Sequence, residues 1–377
     1  MTVHRSHVVG SMLRPDELLE ARERRAANEL SPASFKRIED AAVDRAIATQ
    51  ESAGIDVITD GEQRRFDFME GLLATVSGIE DVSTAASASR TAEQVVNVDG
   101  FWHRDDTSYE THEWVPPVIT TKLRRTGSLV AEEYSYARSK TSHPVKVTLP
   151  NATLMVTYWS DQHSRAAYNS VQDAIFEFAD ILKDEISQLA SLGCEHVQID
   201  SPDLTMLIDP STSFLYEMLG FSRAQYIDMV VELLNGVAAV PGITFSVHLC
   251  RGNKEGEWHS SGGYGAISKD VFPRLKGYDY LFLEFDDERS GDFQALSDVP
   301  HDRCVVLGLV STKRAEIEKP DALLKRIDDA AKFFPRDQLA LSPQCGFASI
   351  LYGNPITAEV ERAKLELVAE VAAQAWN

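Results

Sequence analysis

Cysteine is scarce. Cys194, Cys250, Cys304 and Cys345 are the only four in 377 residues. So few thiols in so long a chain exclude a disulfide framework and leave each one open to metal or catalytic work. Positive charge is also short, with 37 Lys and Arg against 58 Asp and Glu, a formal net charge of −21. That balance argues against non-specific nucleic-acid binding, which depends on neutralising phosphates, and against docking on an anionic membrane surface. No apolar run approaches the roughly 18–20 residues of a membrane span. The opening MTVHRSHVVGSMLRP lacks the apolar centre of a secretory signal. The expectation is a cytoplasmic protein with reduced thiols.

What the chain does have is rhythm. Short apolar runs recur at His7–Val9, Ile55–Thr59, Val145–Leu149, Val197–Ile199, Ile243–Val247, Tyr280–Leu283, Val305–Leu309 and Leu339–Leu341. Helical patterns fall between most of them. Ser31-Pro32 is a helix start, with a capping hydroxyl and proline in the first turn, and Gly54 ends that helix. The stretch Ala174–Leu192 is amphipathic and closes at Gly193. Continuous apolar runs are what buried parallel strands look like. Eight of them predict a single α/β domain over 1–377, a (β/α)8 TIM barrel, whose active site lies at the C-terminal strand ends. A doubly wound open sheet is the alternative, but it would not gather side chains from so many strands at one point.

Residues 81–142 break this rhythm. The stretch is polar, includes AASASRTAEQ, and has strand-like pieces such as Pro117–Leu123. It reads as a β-rich insertion between the second and third runs, serving as a hairpin lid or an oligomer contact.

The sharpest local motif is His248-Leu249-Cys250. Residues two apart in an extended segment point to the same side, so imidazole and thiolate can converge on one ion. Glu284 ends the next run, and Cys345 follows the last. Together they offer N, S, O and S, a tetrahedral set suited to Zn2+. The bland reading makes Cys250 and Cys345 small buried hydrophobes. Cys194 and Cys304 fit that reading and are left out of the site.

The segments HVVGSMLRP, DVITDGEQRR, VQIDSPDL, VHLCRGN, LEFDDERSGDF, VVLGLVSTK and LSPQCGFAS occur in this order. In them the chain resembles the catalytic half of cobalamin-independent methionine synthase and its shorter relatives. The resemblance implies a barrel with a catalytic zinc held by His248, Cys250, Glu284 and Cys345. It also implies a substrate thiol that joins the zinc and acts as nucleophile, and places Ser11, Glu62 and Asp200 around the substrate. In methionine synthase the matching groups hold the amino-acid portion of homocysteine.

Three departures shape the expected chemistry. The chain has only the catalytic unit of the longer folate-using enzymes. Ser311-Thr312-Lys313 stands where methionine synthases carry Asp-Ile-His. Gly61-Glu62-Gln63-Arg64-Arg65 runs straight into Phe66-Asp67-Phe68, without the tryptophan-rich insertion of many short relatives. One branch of the short family, epoxyalkane:coenzyme M transferase (2-hydroxypropyl-CoM lyase), is similar in length and zinc motif. It adds the coenzyme M thiol to a small epoxide. On that reading Lys313 protonates the alkoxide, and Arg14, Arg64 or Arg65 receives the sulfonate. Methyl transfer to homocysteine is the second reading, favoured by Glu62 and Asp200. A zinc-binding or methyl-carrier partner without its own catalysis is the third. Small molecules are the expected partners, with a homo-oligomer possible on the insertion reading.

Overall fold

The computed structural model describes residues 3–69, 74–80, 102–104, 117–212, 216–217 and 219–376. Most of the polar part of the 81–142 stretch, AASASRTAEQ included, lies outside the described residues.

Six of the apolar runs are strands of one parallel sheet in sequential order. After a hairpin of β1 (Val76–Glu80) and β2 (Val118–Arg125) come β3 (Lys146–Pro150), β4 (His196–Asp200), β5 (Thr244–Leu249), β6 (Tyr278–Glu284), β7 (Cys304–Val310) and β8 (Leu339–Pro343). The first two runs are extended segments joined by single parallel bridges, Ser6 to Leu341, His7 to Val57 and Ile58 to Val145. They link β8 back to β3 and close the ring. Main-chain bonds mark the seam: His7 N donates to Leu341 O at 3.0 Å, Asp56 N to Ser6 O at 3.2 Å, and Lys146 N to Ile58 O at 2.8 Å. The ladder stays short here because side chains replace it. Asp56 Oδ2 accepts from the backbone N–H of Arg5 and of Ser6, and Ser6 Oγ accepts from Asp56 N. Thr59 Oγ1 donates to Gly10 O at 2.6 Å.

The helices follow their sequence signals. Ser31 accepts from Ser34 N at the start of the helix Pro32–Ala53, and Gly54 closes it at φ 83°. Ser170 and Asp173 form a reciprocal cap on Val171–Ser191. Asp16–Ala26, Arg223–Val237, Pro320–Ala330 and Ala358–Trp376 are further helices among the described residues. The strand β2, within the 81–142 stretch, pairs antiparallel with β1, which precedes that stretch. Residues Ala131–Lys140 form a helix packed against Pro32–Ala53 and Val171–Ser191, in the place of the crossover helix leading to β3. No helix among the described residues is long and apolar enough to cross a membrane.

Period-two alternation divides each strand between two cores. Val147, Leu149, Val197, Ile199, Phe245, Val247, Leu281, Leu283, Val305, Leu307, Leu339 and Leu341 join the large cluster shared with the helices. Their neighbours Tyr280, Phe282, Cys304, Val306 and Ala340 form a separate small cluster, the lining of the ring. The same inward phase takes in Lys146, Thr148, Gln198, Asp200, His248 and Glu284, all buried.

Because two of the eight positions are held by single bridges, their side-chain stitching carries unusual weight. Asp56→Ala removes the acceptor for two backbone N–H groups. It is expected to lower the unfolding free energy by about 1–3 kcal/mol, read as a shift in the chemical-denaturation midpoint with unchanged slope.

Candidate metal centre and its polar surroundings

His248 is the penultimate residue of β5, on the inward phase, Cys250 follows two residues later, Glu284 is the last residue of β6, and Cys345 follows β8. One ligand atom from each lies within 4.8 Å of all the others. The two sulfurs are 3.4 Å apart and both thiols are free. Four donors at about 2.0–2.3 Å from a tetrahedral ion would lie about 3.3–3.8 Å from each other, so the cluster is near that geometry.

The unused valences fit an ion. Neither ring nitrogen of buried His248 has a hydrogen-bond partner, and neither does Glu284 Oε2. Glu284 Oε1 accepts from Arg251 N at 2.8 Å, which orients the carboxylate. Buried polar atoms without partners are rare because each costs desolvation energy. Here one ligand atom of each residue joins the cluster with the two sulfurs. Burial, with the Cys345 sulfur next, pushes the Glu284 carboxyl up to about 7. Burial alone would lower His248, but Cys345, Asp200 and Glu284 outweigh it and raise its pKa. The hydrogen bond between the thiols holds Cys345 well below and Cys250 well above the ordinary thiol range. Cys250 and Glu284 thus favour the protonated form, and a cation would displace those protons, while Cys345 already favours the thiolate.

A polar network fixes the two cysteine loops against each other. Lys313 Nζ donates to Gly252 O at 2.8 Å, Asn253 Oδ1 at 2.8 Å and Glu257 O at 3.1 Å. Asn253 Nδ2 donates to Gly346 O, beside Cys345, at 2.7 Å. Asn354 Nδ2 bridges Asn253 Oδ1 and Thr312, and Thr312 N donates to Gln344 Oε1. An ammonium has three N–H groups. The expectation that Lys313 supplies a proton to substrate therefore meets a side chain whose donors are all spent on the metal loop. Its visible work is structural.

Beside the cluster lie the expected substrate groups. Glu62 sits at φ 53° in the turn after Thr59, takes a 2.7 Å bond from Thr148 Oγ1, and lies 3.9 Å from Arg65. A Cβ on Gly10 would lie 2.3 Å from Glu62 Oε1, so only glycine admits this carboxylate. Asp200 is pushed up to about 7 by burial, with Glu62 adding and His248 opposing. That coupling places Asp200 in the field of the metal cluster, with Glu62 in turn acting on Asp200. Ser11 is wedged between the Glu62 turn and the Cys345 loop. Phe347 N donates to its carbonyl, Ala348 N to its hydroxyl, and a Cβ on Gly346 would lie 2.1 Å from Oγ.

The three arginines expected at a sulfonate are engaged within the protein. Arg14 is buried and donates to the carbonyls of Ala348, Glu62 and Arg65. Arg65 is buried between Glu133 and Thr148. Arg64 points to Asp40 at 2.5 Å and stacks on Tyr136, on the helical side. Arg14 and Arg65 therefore support the Glu62 turn, and Arg64 belongs to the helix layer. Cys194 and Cys304 lie apart as buried thiols raised by desolvation. Missed by sequence reasoning were Thr148, Asn253, Asn354, Gln344, Lys146 and Gln198. The last two stand at inward positions of β3 and β4, and a polar residue on that phase inside an apolar run was the available signal.

The model of the cobalamin-independent synthase catalytic domain matches residues 5–374. The chain belongs to this family. It is 31% identical to the uncharacterized protein YxjH of Bacillus subtilis, over 99% of this chain and 95% of that one. It is 20% identical to the methionine synthase of Sulfolobus acidocaldarius, covering 92% of this chain and 86% of the relative. With the 5-methyltetrahydropteroyltriglutamate–homocysteine methyltransferase of Trichodesmium erythraeum the identity is 22%, over 96% of this chain but 43% of that enzyme. Among solved structures, a B12-independent methionine synthase from Shewanella sp. W3-18-1 in complex with selenomethionine matches with a TM-score of 0.74, at 19% identity over 99% of this chain and 98% of that one. A putative vitamin-B12 independent methionine synthase from Listeria monocytogenes matches with 0.71, at 21% identity over the whole of both chains. Family members of this kind have the methionine synthase-like barrel, and this chain shares it.

The network makes a measurable statement about Lys313. Lys313→Met should weaken zinc binding about 10–100-fold, as loss of groups that orient metal ligands does elsewhere, read by competition with a chromophoric chelator. Cys250→Ala and Cys345→Ala should each abolish stoichiometric zinc. Wild-type affinity in Lys313→Met would contradict the clamp.

Proposed function

We propose that this protein transfers a methyl group from a small-molecule donor to the thiol of homocysteine, using zinc held by His248, Cys250, Glu284 and Cys345. The carrying observation is the juxtaposition of two kinds of group. Four metal-competent atoms lie within 4.8 Å of one another, and the buried carboxylate of Asp200 is electrostatically coupled to His248 and Cys345 among them and to Glu62 beside it. A thiol that also bears an ammonium group matches both. Zinc suits two sulfurs, an imidazole and a carboxylate, and when bound it would supply the Lewis acidity that keeps a thiol deprotonated at neutral pH.

The chain's own residues do the rest. Glu62 and Asp200 receive the ammonium and so fix the direction of the acceptor carbon chain. Thr148 and Arg65 hold Glu62 in place, and the Ser11 segment packs between Glu62 and Cys345 to form the wall of the pocket. The Lys313 network holds the cysteine loops so that little reorganisation accompanies substrate binding. A donor would approach from the C-terminal rim, where a cleft of about 720 Å³ is lined by Trp102, His103, Arg104, Asp209, Ser211, Trp258 and Ser261. Trp102 packs edge-on to His259, in the loop that follows Cys250, and His103 and Trp258 exchange backbone hydrogen bonds. Part of the 81–142 stretch therefore lies over the rim beside the metal loop.

Epoxide opening by coenzyme M needs a cation for the sulfonate and an acid for the alkoxide. Arg14, Arg65 and Lys313 are occupied by protein acceptors, and Arg64 faces the helix layer. Named relatives are methionine synthases and a homocysteine methyltransferase. Both points support the methyl-transfer reading over the epoxide one.

Isothermal titration of the zinc-loaded protein in buffers of different ionisation heat tests the acceptor. L-homocysteine should bind with proton release, and coenzyme M at least about tenfold more weakly, a difference of about 1.4 kcal/mol. Glu62→Gln should cost homocysteine about 10–100-fold in affinity, as expected for a buried charge left without its partner. Tight, proton-releasing binding of coenzyme M alone would overturn the reading.

A further inference from the structure

Lys146 is a fully enclosed lysine in the ring interior that the chemistry above does not use. Its Nζ donates to Val8 O at 2.6 Å and to Gln198 Oε1 at 2.5 Å, and lies 4.1 Å from the centre of the Phe282 ring. Gln198 Nε2 in turn donates to Asp200 Oδ1 at 2.7 Å. Lys146, Gln198 and Asp200 are all on the inward phase, and Gln198 precedes Asp200 by two residues on one strand.

We propose that Lys146 and Gln198 form a positioning relay that aims Asp200 at the amino group of the acceptor thiol, and so set the selectivity for an amino-thiol. This rests on the homocysteine reading. Hydrogen-bond polarity sets the direction of the relay. Lys146 Nζ donates to Val8 O and to Gln198 Oε1, so the amide oxygen of Gln198 faces the lysine. The amide nitrogen must then face Asp200 and donate to it. Flipping the amide would oppose N–H to N–H at one end and oxygen to oxygen at the other. With the amide direction fixed from the barrel floor, Asp200 Oδ1 is committed as an acceptor. Its carboxylate can no longer turn freely about Cβ–Cγ. The second oxygen takes no hydrogen bond from the described residues and is left for substrate, and Asp200 stands opposite His248 in the β4–β5 register. Lys146 is expensive where it stands. Burial drives it down to about 7, against the pull of Asp200 and Glu62. A leucine or methionine would pack against Phe282 without that cost, so packing alone does not account for the residue.

The test compares L-homocysteine with 4-mercaptobutanoate, the same thiol acid without its amino group, by isothermal titration of zinc-loaded protein. The double variant Lys146→Met/Gln198→Leu replaces both partners with apolar groups of similar size. It should therefore fold and keep its zinc even where the single variants do not. Zinc stoichiometry and the thermal unfolding profile check this directly. Wild type should prefer homocysteine. The double variant should lose about tenfold in homocysteine affinity and less than about twofold for the des-amino thiol, a difference of about 1.4 kcal/mol. Equal losses for the two thiols, or none, would overturn the relay while leaving the homocysteine reading intact. A wild type that does not distinguish the two thiols would overturn both, and Asp200→Asn would then be silent as well.

Discussion

The constraint on which everything else depends is the two-residue repeat of a strand in a closed sheet. In a ring of parallel strands, one phase of each strand meets the helices and the other meets the enclosed interior. Here the outward phase is aliphatic almost without exception. The inward phase carries aromatics on β6, small residues on β7 and β8, and charge or hydrogen-bonding capacity on β3, β4 and β5. That asymmetry polarises the interior sideways as well as along its axis. His248 and Glu284 stand at adjacent strand ends, Asp200 stands opposite His248 in the β4–β5 register, and Cys345 arrives from the far side of the ring. Convergence of these groups is a consequence of phase and ring closure together. A shift of one residue in any of these strands would send the reactive group into the helix layer.

Much of this was legible in the chain. The eight apolar runs mark the eight positions of the ring, and the capping signals at Ser31-Pro32, Gly54 and Gly193 mark helix ends that the structure reproduces. The His248-x-Cys250 spacing puts two donors on one side, and Glu284 and Cys345 meet them at the rim. What was not legible depended on partners distant in sequence. Nothing local in Ser311-Thr312-Lys313 reveals that the lysine will be claimed by three oxygens from residues 252–257. Arg14 and Arg65 look like solvent-facing cations from composition, yet they are buried because the Glu62 turn offers carbonyls and Glu133 offers a carboxylate. The first two runs read as strands but are bridged segments, because Asp56 and Ser6 supply from side chains what a ladder would supply from backbone.

The interior is costly ground for polar groups, and the structure meets that cost in two ways. Two connected hydrogen-bonded sets meet part of it: Lys313, Asn253, Asn354, Thr312 and Gln344 form one, and Lys146, Gln198 and Asp200 form another. At the metal cluster hydrogen bonds are not completed. The nitrogens of His248 and one oxygen of Glu284 are left bare beside two thiols. Completed networks surrounding an uncompleted centre are what a pre-organised metal site requires, since supporting groups that are already satisfied do not compete for the ion and hold its ligands still.

The central claim is that His248, Cys250, Glu284 and Cys345 make one mixed-donor zinc centre. Zinc-edge X-ray absorption on the purified, metal-loaded protein tests it most directly. The account predicts two sulfur scatterers at about 2.3 Å and nitrogen or oxygen scatterers at about 2.0–2.2 Å. Replacing Cys345 by alanine should remove a sulfur from that shell. A shell of nitrogen and oxygen alone in the wild-type protein would contradict it.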